Sequence, residues 1–276
     1  MKVLSLFDGI SCGRVALERA GINVEVYHAY EIDENAKKIS KDNYPDIVHF
    51  NDVRDCVGLD YDKENFDLLL GGSPCQDLSI ISKRGKGLKG SKSSLFYEYV
   101  RIKDEMNPKY FLFENVVPRN KNDIDEISDL LGVEPILINS SLVSAQNRER
   151  LYWTNIPNVT LPKDKNIKLS DIIKDKPNED IKPFMMKKWG NNIRLHQIGT
   201  TDRSKSYCVT TGRTHPKNYI LNPDRTKCRL FTIEEVEQLQ TLPIGYTKAV
   251  GKSSAHHGIG NGWTVDVIAH IFKGLR

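Results

Sequence analysis

The first residue equipped for covalent chemistry is a cysteine that follows an apolar run. Phe66-Asp67-Leu68-Leu69-Leu70 leads into Gly71-Gly72-Ser73-Pro74-Cys75-Gln76-Asp77-Leu78-Ser79. Most lone cysteines are inert core residues. A thiol in a Gly/Ser/Pro turn at the end of a strand is instead exposed, which makes Cys75 a candidate nucleophile. A second apolar run ends in Phe113-Glu114-Asn115-Val116, bringing a carboxyl group to the same rim, where it can hold a polar heterocycle. In Gln146-Asn147-Arg148-Glu149-Arg150 the two arginines stand two residues apart, so on an extended chain they face one side. Three acids follow earlier strands: Asp8 in the loop Phe7-Asp8-Gly9-Ile10-Ser11-Cys12-Gly13, then Glu31 and Asp52. Glu31 is placed to accept from two ribose hydroxyls and Asp52 from an adenine amino group. An isolated acid at such a place is more often an N-cap, but three in succession favour a nucleoside-containing cofactor. The loop lacks G-x-G-x-x-G, so a dinucleotide cradle fits poorly.

These residues need a scaffold that collects strand ends on one rim. The runs at 3–7, 24–30, 66–70, 110–113 and 135–138 read as strands. Helical stretches lie between them at 14–21, at 34–43 before Pro45, and at 123–131 before Gly132. Alternation of this kind predicts βαβ units and a mainly parallel sheet covered on both faces, with ligands at the carboxyl ends of the strands. From about 161 to 229 the rhythm fails, and a separate irregular lobe is expected. Thr232 and Glu235 have capping-box spacing, and a last helix is expected from Thr264.

Composition narrows the classes. The 276 residues are 39% hydrophobic and 28% charged, with a mean hydropathy of -0.46. These values describe a globular chain and exclude a disordered tail or a fibrous repeat. No apolar run reaches the roughly 18 residues of a membrane span, and Asp8 interrupts any signal-peptide core. The five cysteines are odd in number, with no C-x-x-C pair, which suits a reducing, cytoplasmic setting without a metal cluster. Net charge is only +4, yet between Lys182 and Arg229 eleven basic side chains face two acids. Interleaved with Phe184, Trp189, Tyr207 and Tyr219, that segment reads either as a solvated face or as a polyanion-binding surface.

Taken in order, the blocks FDGISCG at 7–13, Glu31, NDV at 51–53, GGSPCQDLS at 71–79, ENV at 114–116, QNRER at 146–150, RLFTIEEVEQLQTLP at 229–243 and GNGWTVDVI at 260–268 resemble the DNA (cytosine-5)-methyltransferase family over nearly the whole chain. In wording they are most similar to the branch containing the animal de novo enzymes, and a prokaryotic or phage member is expected. Two features depart from the wider family. Gly262-Trp263 stands where many bacterial members have Ser-Val, and the variable lobe is short.

The resemblance implies a Rossmann-like, S-adenosylmethionine-dependent α/β fold. Residues 1–160 and 256–276 would form the catalytic lobe, and 161–255 a small target-recognition lobe. It implies that Cys75 adds to cytosine carbon 6, that Glu114 holds the ring N3 and amino group, that Arg150 lies on the carbonyl oxygen, and that Arg148 helps position the nucleotide. It assigns the cofactor S-adenosylmethionine to Phe7, Asp8, Gly9, Ile10, Ser11, Glu31, Ile32, Asp52, Val53, Asn261 and Trp263. Double-stranded DNA would meet Gln76, Ser79, Thr211 and Arg213, and the loop from Ser79 to about Ser94 would close over a flipped base. No metal is needed, so His256 and His257 are expected to be ordinary polar residues. Three other readings were weighed: a transfer-RNA methyltransferase, whose Cys-Phe-Thr signature is not found; a non-catalytic relative, disfavoured by Cys75, Glu114 and Arg150; and a nicotinamide oxidoreductase. The recognition sequence, the biological setting (restriction partner, phage protection or solitary regulator) and the oligomeric state are not written in the chain.

Overall fold

Leu68, Leu69 and Leu70 have no exposed surface, so this strand is apolar on both faces and must be covered on both. It lies in the middle of a seven-stranded sheet in a computed structural model that describes residues 1–74, 78, 87–90, 93–180 and 198–276. The strands are β1 (Lys2–Leu6), β2 (Val26–Tyr30), β3 (Val48–Phe50), β4 (Leu68–Gly71), β5 (Tyr110–Val116), β6 (Ile136–Asn139) and β7 (Glu149–Thr154). Their order is β3-β2-β1-β4-β5-β7-β6, with β7 antiparallel to both neighbours and the pairings from β3 to β5 parallel. The chain moves outward from β1 to β3 and then resumes at β4 on the other side of β1. That reversal makes the carboxyl ends of β1 and β4 the ligand crevice of a doubly wound sheet.

Helices α1 (Cys12–Arg19), α2 (Glu34–Asn43), α3 (Gly58–Lys63), α4 (Phe96–Met106) and α5 (Lys121–Leu131) belong with this sheet. Asp33 caps α2 by accepting from the N–H groups of Asn35 and Ala36, and α2 stops just before Pro45. Asn120 caps α5, which ends at Gly132 with φ +71°. The core joins Leu4, Leu6 and Leu69 to Phe96, Tyr99, Phe113 and Trp153. β5 runs to Val116, so Glu114 and Asn115 lie inside the strand rather than beyond its end. β3 is the strand expected before Asp52, whereas β7, α3 and α4 are additions to the expected elements. β3 has three residues, too few for a period, and the apolar run of β7 is prefaced by charges.

The chain forms two compact units, 1–139 with 149–161 and 267–276, and 140–148 with 162–266. The second therefore takes in 140–148 and 256–266, which the sequence reading placed in the first. Its elements are α6 (Leu169–Ile172), β8 (Glu179–Asp180), β9 (Gly199–Thr200), β10 (Tyr219–Leu221), β11 (Lys227–Leu230), α7 (Ile233–Leu239) and α8 (Lys252–Asn261). α9 (Val265–Ile271) follows. The region expected to be irregular contains a four-stranded sheet ordered β8-β11-β10-β9 over Ile198, Leu221 and Cys228. Strands of two to four residues leave no alternation to read. The capping box at α7 forms as its spacing predicts: Thr232 Oγ1 accepts from the Glu235 N–H, and Glu235 Oε2 accepts from the Thr232 N–H.

Candidate active site

The loop leaving β1 is strained. Phe7, Gly9 and Ser11 have φ of +57°, +61° and +59°, a region that only glycine occupies cheaply. The Asp8 carboxylate holds the turn from beneath, accepting from the Tyr27 hydroxyl at 2.8 Å and from the Ser11 hydroxyl. Burial pushes Asp8 up to about 6, against the lowering effect of hydrogen bonds from Ser11, Ser5 and Tyr27, and the Glu31 charge pushes it further up. Glu31 crosses the loop: one carboxylate oxygen accepts from the Gly9 N–H and the other from the Asp33 N–H, both at 2.8 Å. Each oxygen keeps a lone pair for a further donor. Nothing stands within 4 Å of where a Gly9 side chain would begin. Ile32, 72% exposed, presents an apolar face to solvent. Open backbone, a carboxylate with spare acceptors and an apolar platform suit a nucleoside-bearing methyl donor.

Other residues expected to touch that donor are placed differently. Ile10 and Ser11 have no exposed surface, so their side chains support the loop and only their backbone is available. Val53 is buried as well. Asp52 caps a short turn and is clasped by the Arg54 guanidinium, which holds its carboxyl down at about 2. Its carboxylate is thus already engaged.

Cys75, Gln76 and Ser79 lie outside the described residues. The stem of their loop is described. Gly71 ends β4 under the Tyr99 ring, where a Cβ would fall 2.6 Å from Cδ2, so the backbone passes only because glycine is there. The buried Asn115 amide donates to the Ser73 carbonyl at 3.2 Å and to its hydroxyl at 3.3 Å, pinning the stem two residues before Cys75. Sequence reading gave Asn115 no role, although an amide beside a site acid was the available signal. Glu114, 8% exposed, pairs with Arg150 (Oε1 to Nε 3.0 Å). Glu114 faces Tyr152 and Val116 faces Arg150 across β5 and β7, so the pair is a diagonal neighbour on one sheet face. The ion pair orients the carboxyl group without burying an uncompensated charge.

The two arginines part company. Arg150 is on β7, whereas Arg148 precedes the strand and belongs to the second unit. Arg148 is 4% exposed and donates to the carbonyls of Val209, Gly260 and Gly262 and to the Cys208 sulfur at 3.0–3.3 Å. The two side chains therefore find their partners in different units, Arg150 on Glu114 and Arg148 on the carbonyls of 209, 260 and 262. In the same unit the Gln146 amide donates to the Leu239 carbonyl and accepts from the Val209 N–H. Asn218 donates to the carbonyls of Thr210 and Gly212 and accepts from the Thr210 N–H. His256 bonds the Thr210 carbonyl, and Gly260 packs so closely on Thr210–Thr211 that a Cβ would sit 2.8 Å from backbone. These clamps set the segment carrying Thr211 and Arg213, both half-buried. Asn261 is exposed beside His257, and Trp263 is half-buried. No group of three metal-ligating side chains occurs among the described residues, and no helix among them is long and apolar enough to cross a membrane.

The family model for C-5 cytosine-specific DNA methylase matches residues 1–188 and 160–276, and the chain belongs to that family. Its fold is the Rossmann-like fold of S-adenosylmethionine-dependent methyltransferases, and S-adenosylmethionine is the family's methyl donor. The orphan methyltransferase M.SPRI of Bacillus phage SPR is 35% identical over 56% of this chain and 38% of its own length. The type II methyltransferase M.HpaII of Haemophilus parainfluenzae is 26% identical over 96% of this chain and 86% of its own. The match spans about a third of the phage relatives' length, 38% of M.SPRI and 32% of M.Rho11sI. Among solved structures, a mutant DNMT2 of Spodoptera frugiperda superposes with a TM-score of 0.78 at 21% identity over 99% of both chains. A methyltransferase encoded in an E. coli prophage gives 0.71 at 19%, over 100% of this chain and 98% of its own. Both show likeness of fold.

Proposed function

We propose that this protein methylates carbon 5 of cytosine in double-stranded DNA, using Cys75 as a covalent nucleophile. The observation that carries the reading is the Glu114–Arg150 pair beside the stem of the Cys75 loop, in a chain of the cytosine-5 family. The bound donor supplies an electrophilic methyl group on a sulfonium. Phe7, Gly9, Glu31 and Ile32 would hold it. Cytosine carbon 5 is a poor nucleophile until carbon 6 is attacked. The Cys75 thiolate adds to carbon 6, and the electron pair moves to carbon 5. Glu114 holds N3 and the amino group as charge develops there, and Arg150 holds the carbonyl oxygen. After methylation the carbon 5 proton leaves to a base, the carbon 6–sulfur bond breaks and the thiolate is released. The target base must first be flipped from the duplex, at a cost of a few kcal/mol.

In this reading the second unit recognises the target, Gln76, Ser79, Thr211 and Arg213 touch DNA, and the enzyme works in the cytoplasm without a metal. Arg148 acts at a distance, by fixing the carbonyls of 209, 260 and 262. Bisulfite sequencing of plasmid from expressing cells tests the activity. DNA carrying 5-fluorocytosine should trap the wild type covalently and leave Cys75→Ser free; a trapped serine variant removes Cys75 from its role. Transfer RNA is the competing polymer, although Cys208-Val209-Thr210 does not match the Cys-Phe-Thr signature of that branch. Labelled methyl transfer to both polymers decides between them.

A further inference from the structure

The β1–α1 loop rests on a file of polar side chains that no contact with the methyl donor explains. Behind Ser11 stands Ser40 of α2, fully buried, with the two hydroxyl oxygens in hydrogen-bond contact. Behind Ser40 stands His49 of β3, its Nε2 at 3.1 Å from the Ser40 Oγ. The other ring nitrogen, Nδ1, is buried without a hydrogen-bond partner.

That orphan sets the direction of the file. A buried N–H without an acceptor is rarer and costlier than an acceptor without a donor. The proton of neutral His49 therefore sits on Nε2 and is donated to Ser40. Ser40 donates in turn to Ser11, and Ser11 to the Asp8 carboxylate. Tyr27 donates to the other Asp8 oxygen. The file runs one way, from the edge strand to an anion under the strained loop.

We propose that Ser40 and His49 are positioning residues for S-adenosylmethionine: through Ser11 and Asp8 they hold the loop at Phe7, Gly9 and Ser11 in the left-handed backbone that opens it to the donor. The proposal rests on the reading of this loop as the donor site. The charge states fit the direction. Asp8 faces Ser5 of β1, Tyr27 of β2, Ser11 and the Glu31 carboxylate, and is pushed up to about 6. His49 faces Ser40, with Lys37 and Lys41 of α2 nearby, and burial and those cations bring it down to about 4. Above about pH 6 the carboxylate is an anion and the imidazole neutral, so the file is complete. Below it Asp8 takes a proton and becomes a donor facing donors.

The test uses the full chain at pH 8, with S-adenosylmethionine binding followed by calorimetry and turnover followed on DNA. Ser40→Ala should weaken donor binding about two- to tenfold, leaving kcat at saturating donor and KM for DNA unchanged. The acid limb of kcat/KM for the donor, centred near pH 6 in the wild type, should move to higher pH as Asp8 loses support. His49→Leu should do the same in smaller measure, and His49→Gln, whose amide N–H can donate to Ser40, should restore the wild-type values. Should Ser40→Ala fail to fold, the two variants at the half-buried His49 decide alone. Gly9→Val, which fills the open face of the loop, should abolish donor binding. If it does so while Ser40→Ala and His49→Leu bind normally, the file has no role and the loop keeps its assignment. If Gly9→Val binds normally, the loop is not the donor site and both readings fall. Loss of kcat and DNA binding together with donor binding would reduce Ser40 to a general structural residue.

Discussion

The two units position their functional side chains by opposite means. In the first, a sheet does the placing: Asp8, Glu31, Glu114 and Arg150 are where they are because strands end or pair there. In the second, the segment carrying Thr211 and Arg213 has no long strand beneath it. Arg148, Gln146, Asn218 and His256 hold its backbone instead, bonding main-chain atoms that for all but Asn218 lie more than forty residues away. A sheet tolerates the loss of one polar side chain, because its hydrogen bonds are made by backbone. A lobe held by buried side chains does not, because each deletion leaves buried backbone groups unpaired.

The largest expected effect follows from that contrast. Arg148→Met should cost about 3–4 kcal/mol in urea unfolding, since one guanidinium serves four acceptors. Glu31→Ala should cost only about 1 kcal/mol of stability but about 1.5–3 kcal/mol of S-adenosylmethionine affinity by calorimetry. Equal stability losses at the two sites would erase the distinction between the units.

Acid tests the buried carboxylate in the first unit. Asp8 has a higher pKa folded than unfolded, so the native state binds more protons between about pH 4 and 6 and the Asp8 contribution improves as pH falls. His28, His49 and His256, lowered by burial, pull the other way in the same range. Asp52, held down by Arg54, acts only below about pH 4. The wild type should therefore gain on Asp8→Asn by about 1–2 kcal/mol between pH 7 and 5, measured by paired thermal melts; a constant difference would show that Asp8 titrates normally. The smallest effect is a gain. The Tyr99 hydroxyl is buried without a hydrogen-bond partner among the described residues, so Tyr99→Phe should add about 1 kcal/mol of stability and leave turnover unchanged.

What was legible in the chain follows the same division. β1, β2, β4, β5 and β6, α2 and the α7 capping box carry local signals, in apolar runs, caps and a stopping proline, and the structure places each within a few residues of expectation. β7 hid because its first residues are charged, and β8 to β11 because they are too short to show alternation. Among site residues, Glu31 is half-buried and Ile32 exposed. Asp52 is the N-cap that chemistry alone would have chosen. Asn115, Asn218 and Ser40 escaped, and the backbone contacts of Arg148 with them, because the partners are main-chain or side-chain polar atoms brought close only by folding. No periodicity announces such contacts.

The chain's order of synthesis gives the division a further meaning. The first unit is interrupted by the second and takes its last piece from 267–276. That piece supplies Val267, Ile268, Ile271 and Phe272, all without exposed surface. A ribosome delivers the β1–β5 half early but cannot supply these four side chains until the whole second unit has emerged, on the order of ten seconds later at bacterial rates. During that interval the first unit lacks four of its buried side chains. The first unit of such a chain closes its core last, after the second unit has been made.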